Sequence, residues 1–230
     1  MNKKTLILTI CAILVVIALA VSLIFIFSGD TENPDQTGGD KAFSLTGTWL
    51  VVANYVNDSP VFTDGQFMIF TDTNAAMYKD ATGDAFAQSS YTVNEVNQLI
   101  LSDISREYKI DKKTDNCIRL YDTATTYMLL VRNSKSEREV EVPTVNSLAG
   151  KWNVTLKGDV RNNGEVLEFE GSTLKYYRNA ASAPAATPEY TLQGSKLNVS
   201  AMGLNMRCYI VNANTIICVE DGGIVWELSK

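Results

Sequence analysis

The sequence predicts an all-β protein with two tandem antiparallel up-and-down barrels of about eight strands each, preceded by one N-terminal transmembrane helix. Three observations lead to this prediction. An uncharged apolar run occupies residues 5–27, one sequence pattern is written twice after that run, and each copy consists of short strand-like segments separated by tight turns. Outside the apolar run, no stretch keeps a helical periodicity for three turns, so the periodicity favours strands.

The apolar run has the length and the flanks of a membrane span. Its 23 residues include no charge, proline or glycine, and a helix of that length is about 34 Å long, enough for a hydrocarbon core of about 30 Å. Lys3 and Lys4 lie in a basic tip at 1–4 and acidic residues follow the span. The positive-inside rule therefore places the N-terminus in the cytoplasm and the rest outside the cell membrane.

Two cleaved forms compete with an uncleaved anchor. Ala18-Leu19-Ala20 resembles a signal-peptidase site, but seven further, mostly apolar residues follow it, whereas the apolar core of a cleaved signal is only about 7–15 residues long. Cys11 follows a bulky Ile10 where a lipoprotein box wants a small residue. We expect the anchor to stay on the chain.

Composition divides the remainder into a tether, two domains and a linker. Residues 28–42 contain hardly any large apolar side chain, which predicts a disordered tether. The first domain then covers 43–132 and the second covers 147–230. Between them, residues 133–146 are charged and are interrupted by Pro143, as is typical of a linker.

The two domains are copies of one pattern. Ser44-Leu45-Thr46-Gly47-Thr48-Trp49 returns as Ser147-Leu148-Ala149-Gly150-Lys151-Trp152. Further matches keep an offset of 99: Gly65 with Gly164, Phe70 with Phe169, Tyr78 with Tyr177, Tyr91 with Tyr190, Asp122 with Asp221 and Tyr127 with Trp226. Two copies are too few for a solenoid, so the repeat predicts tandem domains.

Each copy has the residue content of short strands. The segments are rich in Val, Ile, Tyr, Phe and Thr, and in the first copy they cover 48–56, 66–71, 74–79, 88–93, 97–102, 105–111, 116–121 and 125–132. Turn residues such as Asp64-Gly65 and Gly83-Asp84 separate them. An antiparallel meander of this kind removes its exposed edges by closing into a barrel.

The opening motif of each copy resembles that of a known family. A Gly-x-Trp at the entrance of the first strand, Gly47 and Trp49 in one copy and Gly150 and Trp152 in the other, is similar to the motif of lipocalin-like (calycin) barrels. The compact Leu-x-Gly-x-Trp form looks most like the small lipocalin-like domains of membrane-anchored Gram-positive proteins. The resemblance implies that each tryptophan plugs one end of a barrel.

Composition excludes several chemistries. The 230 residues include no His, so a Ser-His-Asp triad, a Cys-His pair and a His-ligated zinc site are excluded. A net charge of −6 argues against nucleic acid as a partner. We predict no enzyme activity, no cofactor and no metal, although Asp80 and Asp84 leave open a loose calcium site.

The remaining catalytic candidates fit a strand and solvated turns better than an active site. Ser172 and Lys175 match a Ser-x-x-Lys motif, but side chains three apart on a strand point to opposite faces. Acidic pairs at Asp80/Asp84, Asp111/Asp115 and Glu220/Asp221 lie among turn residues, where water keeps both members ionised.

Three cysteines follow the membrane segment: Cys117, Cys208 and Cys218. If residues 212–214 form a three-residue hairpin loop, Cys208 and Cys218 face each other across the ladder. A disulfide and two buried thiols both remain open for this pair.

The longest loops of the two copies, Lys79–Ser89 and Asn179–Glu189, occupy equivalent places, and Phe86 is the large apolar side chain in the first. Long connections at a barrel mouth often carry binding residues. We therefore expect a non-enzymatic surface module that recognises a small apolar ligand or an envelope component. The alternative is a structural protein with filled barrels, a spacer or a subunit of a membrane complex.

Overall fold

The computed structural model describes residues 43–133, 135 and 138–230. Within these residues the fold is all-β apart from a short helix, α1 (Val145–Leu148), and two 3-10 helices at Ser102–Ile104 and Ser200–Met202. None of the helices in the described ranges is long and apolar enough to cross a membrane. The predicted basic tip, transmembrane helix and tether lie outside the described residues.

The first copy forms a closed barrel of eight antiparallel strands, in which β8 returns to pair with β1. The strands are β1 (Gly47–Val56), β2 (Ser59–Phe70), β3 (Asn74–Tyr78), β4 (Ala87–Val93), β5 (Gln98–Leu101), β6 (Arg106–Thr114), β7 (Cys117–Tyr121) and β8 (Tyr127–Arg132). The structure confirms the meander of eight strands that the residue pattern predicts.

One predicted turn of the first barrel lies elsewhere. The hairpin between β1 and β2 turns at Asn57 and Asp58, not at Gly65. Gly65 lies within β2, at an irregularity where the register with β1 shifts. Asn57 and Asp58 have φ of 51° and 59°. Asn and Asp tolerate this left-handed conformation, and a two-residue turn of this hand matches the twist of a hairpin.

The second copy forms a curled half-barrel, so the prediction of a second closed barrel is wrong. Its strands follow the order β12-β11-β9-β17-β16-β15-β14-β13, and β10 pairs with β9. They are β9 (Gly150–Lys157), β10 (Val160–Arg161), β11 (Val166–Glu170), β12 (Thr173–Tyr177), β13 (Thr191–Gln193), β14 (Lys196–Val199), β15 (Leu204–Asn212), β16 (Thr215–Glu220) and β17 (Val225–Ser229).

Pro188 interrupts the pairing at the open edge of this sheet. Isolated bridges join β12 to residues 186 and 189 in the register that joins β3 to β4 in the first barrel. Between the bridges, the Leu174 N–H donates to the Pro188 carbonyl, but proline has no N–H to donate in return. The first barrel has Ser89 opposite Ala75 on that rung, and its ladder is continuous.

The strand registers also correct the two late matches between the copies. Asp122 corresponds to Glu220 and not to Asp221, since the N–H groups of these two residues make the equivalent turn bonds, to the carbonyls of Thr126 and Ile224. Five residues separate the paired Val93 and Leu99 in the first copy, whereas four separate the corresponding pair, Leu192 and Leu197, in the second. The counterpart of Trp226 is therefore Met128 and not Tyr127. Trp226 lies in the core of the second sheet, whereas Tyr127 stacks on Tyr55 outside the first barrel, with ring centroids 4.3 Å apart.

The outer faces of the two copies pack against each other, and residues Ser44–Lys230 form one compact unit. This shared core, called the junction core below, takes β1, β2, β7 and β8 from the first copy and β9, β15, β16 and β17 from the second. Its buried members include Leu50, Ala53, Tyr55, Cys117, Leu129, Val131, Leu156, Tyr209, Val211, Ile217, Val219 and Val225.

Candidate functional site

The Gly-x-Trp motifs hold the entrance of each sheet together. The Trp49 Nε1–H donates to the Leu45 carbonyl at 2.7 Å, and the Trp152 Nε1–H donates to the Leu148 carbonyl at 2.6 Å. Both tryptophans are fully buried. The motif glycines adopt φ values that disfavour other residues, 128° at Gly47 and 101° at Gly150. The four motif residues are therefore structural.

A cation covers each tryptophan, a feature that the sequence analysis missed. The Arg132 guanidinium lies 4.3 Å from the Trp49 ring and donates to the carbonyls of Ser44, Thr46 and Asp115. Lys230 takes the same place over Trp152, also at 4.3 Å. Only the position of a basic residue at the end of the last strand of each copy could have indicated this contact.

Large side chains fill the interior of the first barrel. The face opposite the junction core carries apolar residues whose exposed fraction is at most 7%. They are Trp49, Val51, Met68, Phe70, Leu99, Leu101, Ile110, Ile118, Leu120 and Leu130. The second sheet encloses its own core in the same way, around Trp152, Phe169, Leu174, Met206 and Trp226.

The cleft at the barrel mouth is small. It measures about 210 Å³ and is lined by Tyr108, Leu120 and Met128 from the inside and by Tyr55 and Tyr127 from the rim. Ligand sites usually need about 300 Å³ or more. A larger cleft of about 710 Å³ lies on the outer face beside β6, and its lining includes Lys109, Asp111, Asp122 and Tyr121. Most residues of that lining are polar or charged, which favours a polar ligand there over an apolar one.

The loop Lys79–Ser89, called the Phe86 loop below, is an ordered surface feature. The Asp80 carboxylate accepts from the N–H groups of Thr82 and Gly83, and these bonds lower the pKa of Asp80. From the segment between the copies, Arg138 donates to the carbonyls of Asp80 and Gly83 and covers the Tyr78 ring at 4.0 Å. Three side-chain hydrogen bonds of Asp80 thus hold the loop internally, and two bonds from Arg138 tie it to the segment between the copies.

Phe86 itself stands out from this loop with 56% of its surface exposed. The Lys79 ammonium lies 5.8 Å from the Phe86 ring centroid. A cleft of about 350 Å³ opens beside the loop, between Ala81, Phe67 and the Arg138–Val140 segment. The equivalent loop of the second copy, Asn179–Glu189, has no aromatic residue.

The Ser-x-x-Lys candidate does not form a catalytic pair. Ser172 lies in the turn before β12, and Lys175 lies within the strand. The Lys175 ammonium binds the Glu170 carboxylate at 2.5 Å, and this bond raises the pKa of Lys175. A lysine that acts as a base needs a lowered pKa, so the environment of Lys175 opposes that role.

The acidic pairs have structural partners. Asp111 pairs with Lys113 at 2.9 Å, and Asp115 pairs with Lys112 at 2.7 Å. The Glu220 carboxylate accepts from the Trp226 Nε1–H at 2.6 Å. Within the described part of the chain, no group of three or more His, Cys, Asp and Glu residues is arranged to hold a metal ion.

The cysteine pair lies in the predicted register. Cys208 and Cys218 are opposite each other on β15 and β16, both fully buried, with their sulfur atoms 2.9 Å apart as free thiols. The loop geometry differs from the prediction. Asn212 pairs with Thr215 after a bulge at Val211, so the turn has two residues and not three.

The comparisons with known proteins show no family for this chain. No protein family matches the chain, and no curated protein is similar to it. The chain is similar to the crystal structure of a protein of unknown function from the DUF3598 family of Nostoc punctiforme, with 12% identity and a TM-score of 0.31 over 81% of this chain and 96% of that chain.

Proposed function

We propose that this protein is a non-enzymatic, membrane-anchored module outside the cytoplasm that recognises another envelope component through its outer surface. The filled interior of the first barrel carries this proposal. Fully buried Trp49, Phe70 and Leu130 lie where a lipocalin-type ligand would bind, and the mouth cleft of about 210 Å³ is too small for most ligands. Of the two predicted targets, this geometry favours the envelope component over the small apolar ligand.

The Phe86 loop is the proposed contact surface. Aromatic side chains are enriched where proteins bind one another, and a surface ordered in advance loses less entropy on binding. Phe86 is exposed on a loop that Arg138 and Asp80 hold in place. The partner is proposed to be a protein of the cell envelope. The predicted helix at 5–27 would hold this chain at the membrane, close to such a partner.

Titration with a fluorescent fatty acid tests the filled interior. We expect no saturable binding to the purified natural chain. Leu130→Ala titrated with benzene is the matched control, because removal of a buried leucine side chain leaves a cavity that can accept a small apolar molecule. One-to-one binding to the natural chain, abolished by filling the mouth cleft with Leu120→Phe, would show that the barrel carries a ligand.

Photo-crosslinking in the native envelope tests the contact surface. A photoreactive residue at position 86 should give a discrete crosslinked species, and one at Val61 should not. Val61 is the matched control because it is also an exposed apolar residue, 60% exposed against 56% for Phe86. Crosslinks from neither position would favour the alternative, a structural spacer. The junction core supports that alternative, since it joins the two copies into one compact unit.

A further inference from the structure

Cys208 and Cys218 form a non-hydrogen-bonded pair of the second sheet, in which the two strands lie closer together. Rungs of an antiparallel pair alternate between hydrogen-bonded positions and closer, non-hydrogen-bonded positions, where the Cα atoms are about 4.5 Å apart. The Cys208 N–H donates to Ser195, on the side of β14. Its backbone groups therefore point away from β16, and the Cys208–Cys218 rung is a non-hydrogen-bonded one.

The narrow rung brings the two sulfur atoms together. The separation of 2.9 Å between the Sγ atoms is shorter than the 3.5–4.0 Å, roughly, at which non-bonded heavy atoms pack. A Cα separation of about 4.5 Å also falls within the range of disulfides. Cys117 cannot compete, because it lies in the junction core, on the other side of the sheet system from the core that holds Cys208 and Cys218.

We propose that Cys208 and Cys218 form a cross-strand disulfide that fastens β15 to β16 in the mature protein. The oxidant is a disulfide of a thiol–disulfide exchange protein or of glutathione. The two thiols give up two protons and two electrons, one S–S bond forms between β15 and β16, and the incoming disulfide becomes two thiols.

The bond forms during folding. Both cysteines are fully buried in the finished sheet, and the contact with Cys208 together with burial raises the pKa of the Cys218 thiol. A thiolate is the attacking species in exchange, so the reaction takes place while β15 and β16 pair and before the core closes over them. Formation of the bond in the living cell depends on the proposed location outside the cytoplasm, because disulfides persist in oxidising compartments.

Counting thiols after refolding tests the pairing. The full chain, with its four cysteines, is reduced, unfolded, refolded with oxidised and reduced glutathione, unfolded again and alkylated without reductant. We expect two alkylated thiols and a peptide crosslinked between Cys208 and Cys218. The oxidised protein should unfold at a temperature higher by roughly 5 °C than the reduced protein. Four alkylated thiols, or a bridge that includes Cys11 or Cys117, would overturn the pairing.

The first barrel supplies a matched control. Ile110 and Leu120 occupy the corresponding rung, and the Ile110 N–H likewise points away from β7 towards Asn97. The double variant Ile110→Cys and Leu120→Cys should gain a second bridge, and Cys117→Ala should keep the first. A second experiment tests the state of the pair in the host. Free thiols are blocked when the cells are lysed, and the chain is then extracted, unfolded and alkylated without reductant, so that the free thiols can be counted. A bridge after refolding but four free thiols in the host would uphold the pairing and overturn the proposed location.

Discussion

The two copies agree around their tryptophans and differ at the far side of each sheet. In the first copy Phe70 meets Tyr91 edge to face, with ring centroids 5.2 Å apart, and in the second Phe169 meets Tyr190 at 5.3 Å. A 3-10 helix follows the fifth strand of the first copy and the corresponding strand of the second. The first sheet closes and the second does not.

The comparison separates what the fold needs from what it tolerates. The tryptophan, its bond to a carbonyl four residues back and the cation above it recur with nearly the same distances. The ladder between the third and fourth strands is reduced to isolated bridges, and one N–H is missing from it at Pro188. A missing rung at an edge costs little, because the buried core of the second sheet does not depend on it.

Removal of the motif tryptophans should have the largest effect. Truncation of a buried tryptophan to alanine costs about 3–5 kcal/mol, so Trp49→Ala and Trp152→Ala should each lower the free energy of unfolding by that amount. Because the copies share the junction core, we expect one cooperative transition in guanidinium, followed by circular dichroism. Val96→Ala, at a residue that is 67% exposed, is the control. Two separate transitions, each sensitive to one tryptophan, would show that the copies fold independently.

The two cations over the tryptophans should contribute differently to the free energy of unfolding. Arg132 donates to three carbonyls as well as covering its ring, whereas the contact shown for Lys230 is with the Trp152 ring. Hydrogen bonds from charged groups contribute about 1.5–3 kcal/mol when buried, and less here because these bonds are partly exposed. Arg132→Ala should cost about 1–2 kcal/mol of unfolding free energy, and Lys230→Ala less than about 1 kcal/mol.

Arg132→Lys sharpens the comparison, since lysine keeps the charge but lacks the planar fork of donors. It should recover only part of the stability in the same denaturation assay. Equal losses in Arg132→Ala and Lys230→Ala would mean that the carbonyl bonds of Arg132 contribute nothing measurable.

Restoring one N–H should extend the open sheet. Pro188→Ser supplies the residue that the first barrel has at Ser89, and its N–H can donate to the Leu174 carbonyl. We expect slow hydrogen exchange at the amide of residue 188, with unfolding free energy changed by less than about 1 kcal/mol, because the new bond is offset by a more flexible unfolded chain. Glu189→Ala, which leaves the proline in place, is the control for the unfolding free energy, since residue 188 has no amide hydrogen in that variant. Fast exchange at residue 188 would mean that proline is not what keeps the sheet open.

The strands, the repeat and the Cys208–Cys218 register are predictable from sequence because they depend on local residue type and on two-residue periodicity. Closure of the second sheet is not, since it depends on which strand lies opposite residue 188, where proline supplies no N–H. The junction core was also missed. Its outward apolar residues, such as Leu50 and Val131, read as ordinary strand residues until the registers show which face they occupy.

The Phe86 loop was located from sequence, but its anchor was not. Arg138 lies 55 residues from the Gly83 carbonyl that it binds, within a charged segment that composition marks only as a linker. Long-range contacts of this kind leave no periodic signal, and neither does the position of Arg132 over Trp49.

The smallest predicted effect concerns an ion pair between the copies. The Lys113 ammonium in β6 binds the Asp159 carboxylate after β9 at 2.8 Å, and this bond lowers the pKa of Asp159 below its ordinary value of 3.8. A carboxyl group with a lowered folded pKa adds stability above its unfolded pKa and loses it as the pH falls through its folded pKa. Because the Asp159 side chain is 85% exposed, the contribution at neutral pH is less than about 1 kcal/mol.

Asp159→Asn should therefore be slightly less stable than the natural chain at neutral pH and equally stable once the pH lies below the folded pKa of Asp159. Urea denaturation at a series of pH values measures the difference, with Asp84→Asn in the exposed Phe86 loop as the control. High salt should shrink the difference, because screening weakens exposed pairs. If the difference in stability persists at low pH, the effect of Asp159 comes from the turn that contains it and not from the ion pair. The two copies would then be held together by the apolar junction core alone.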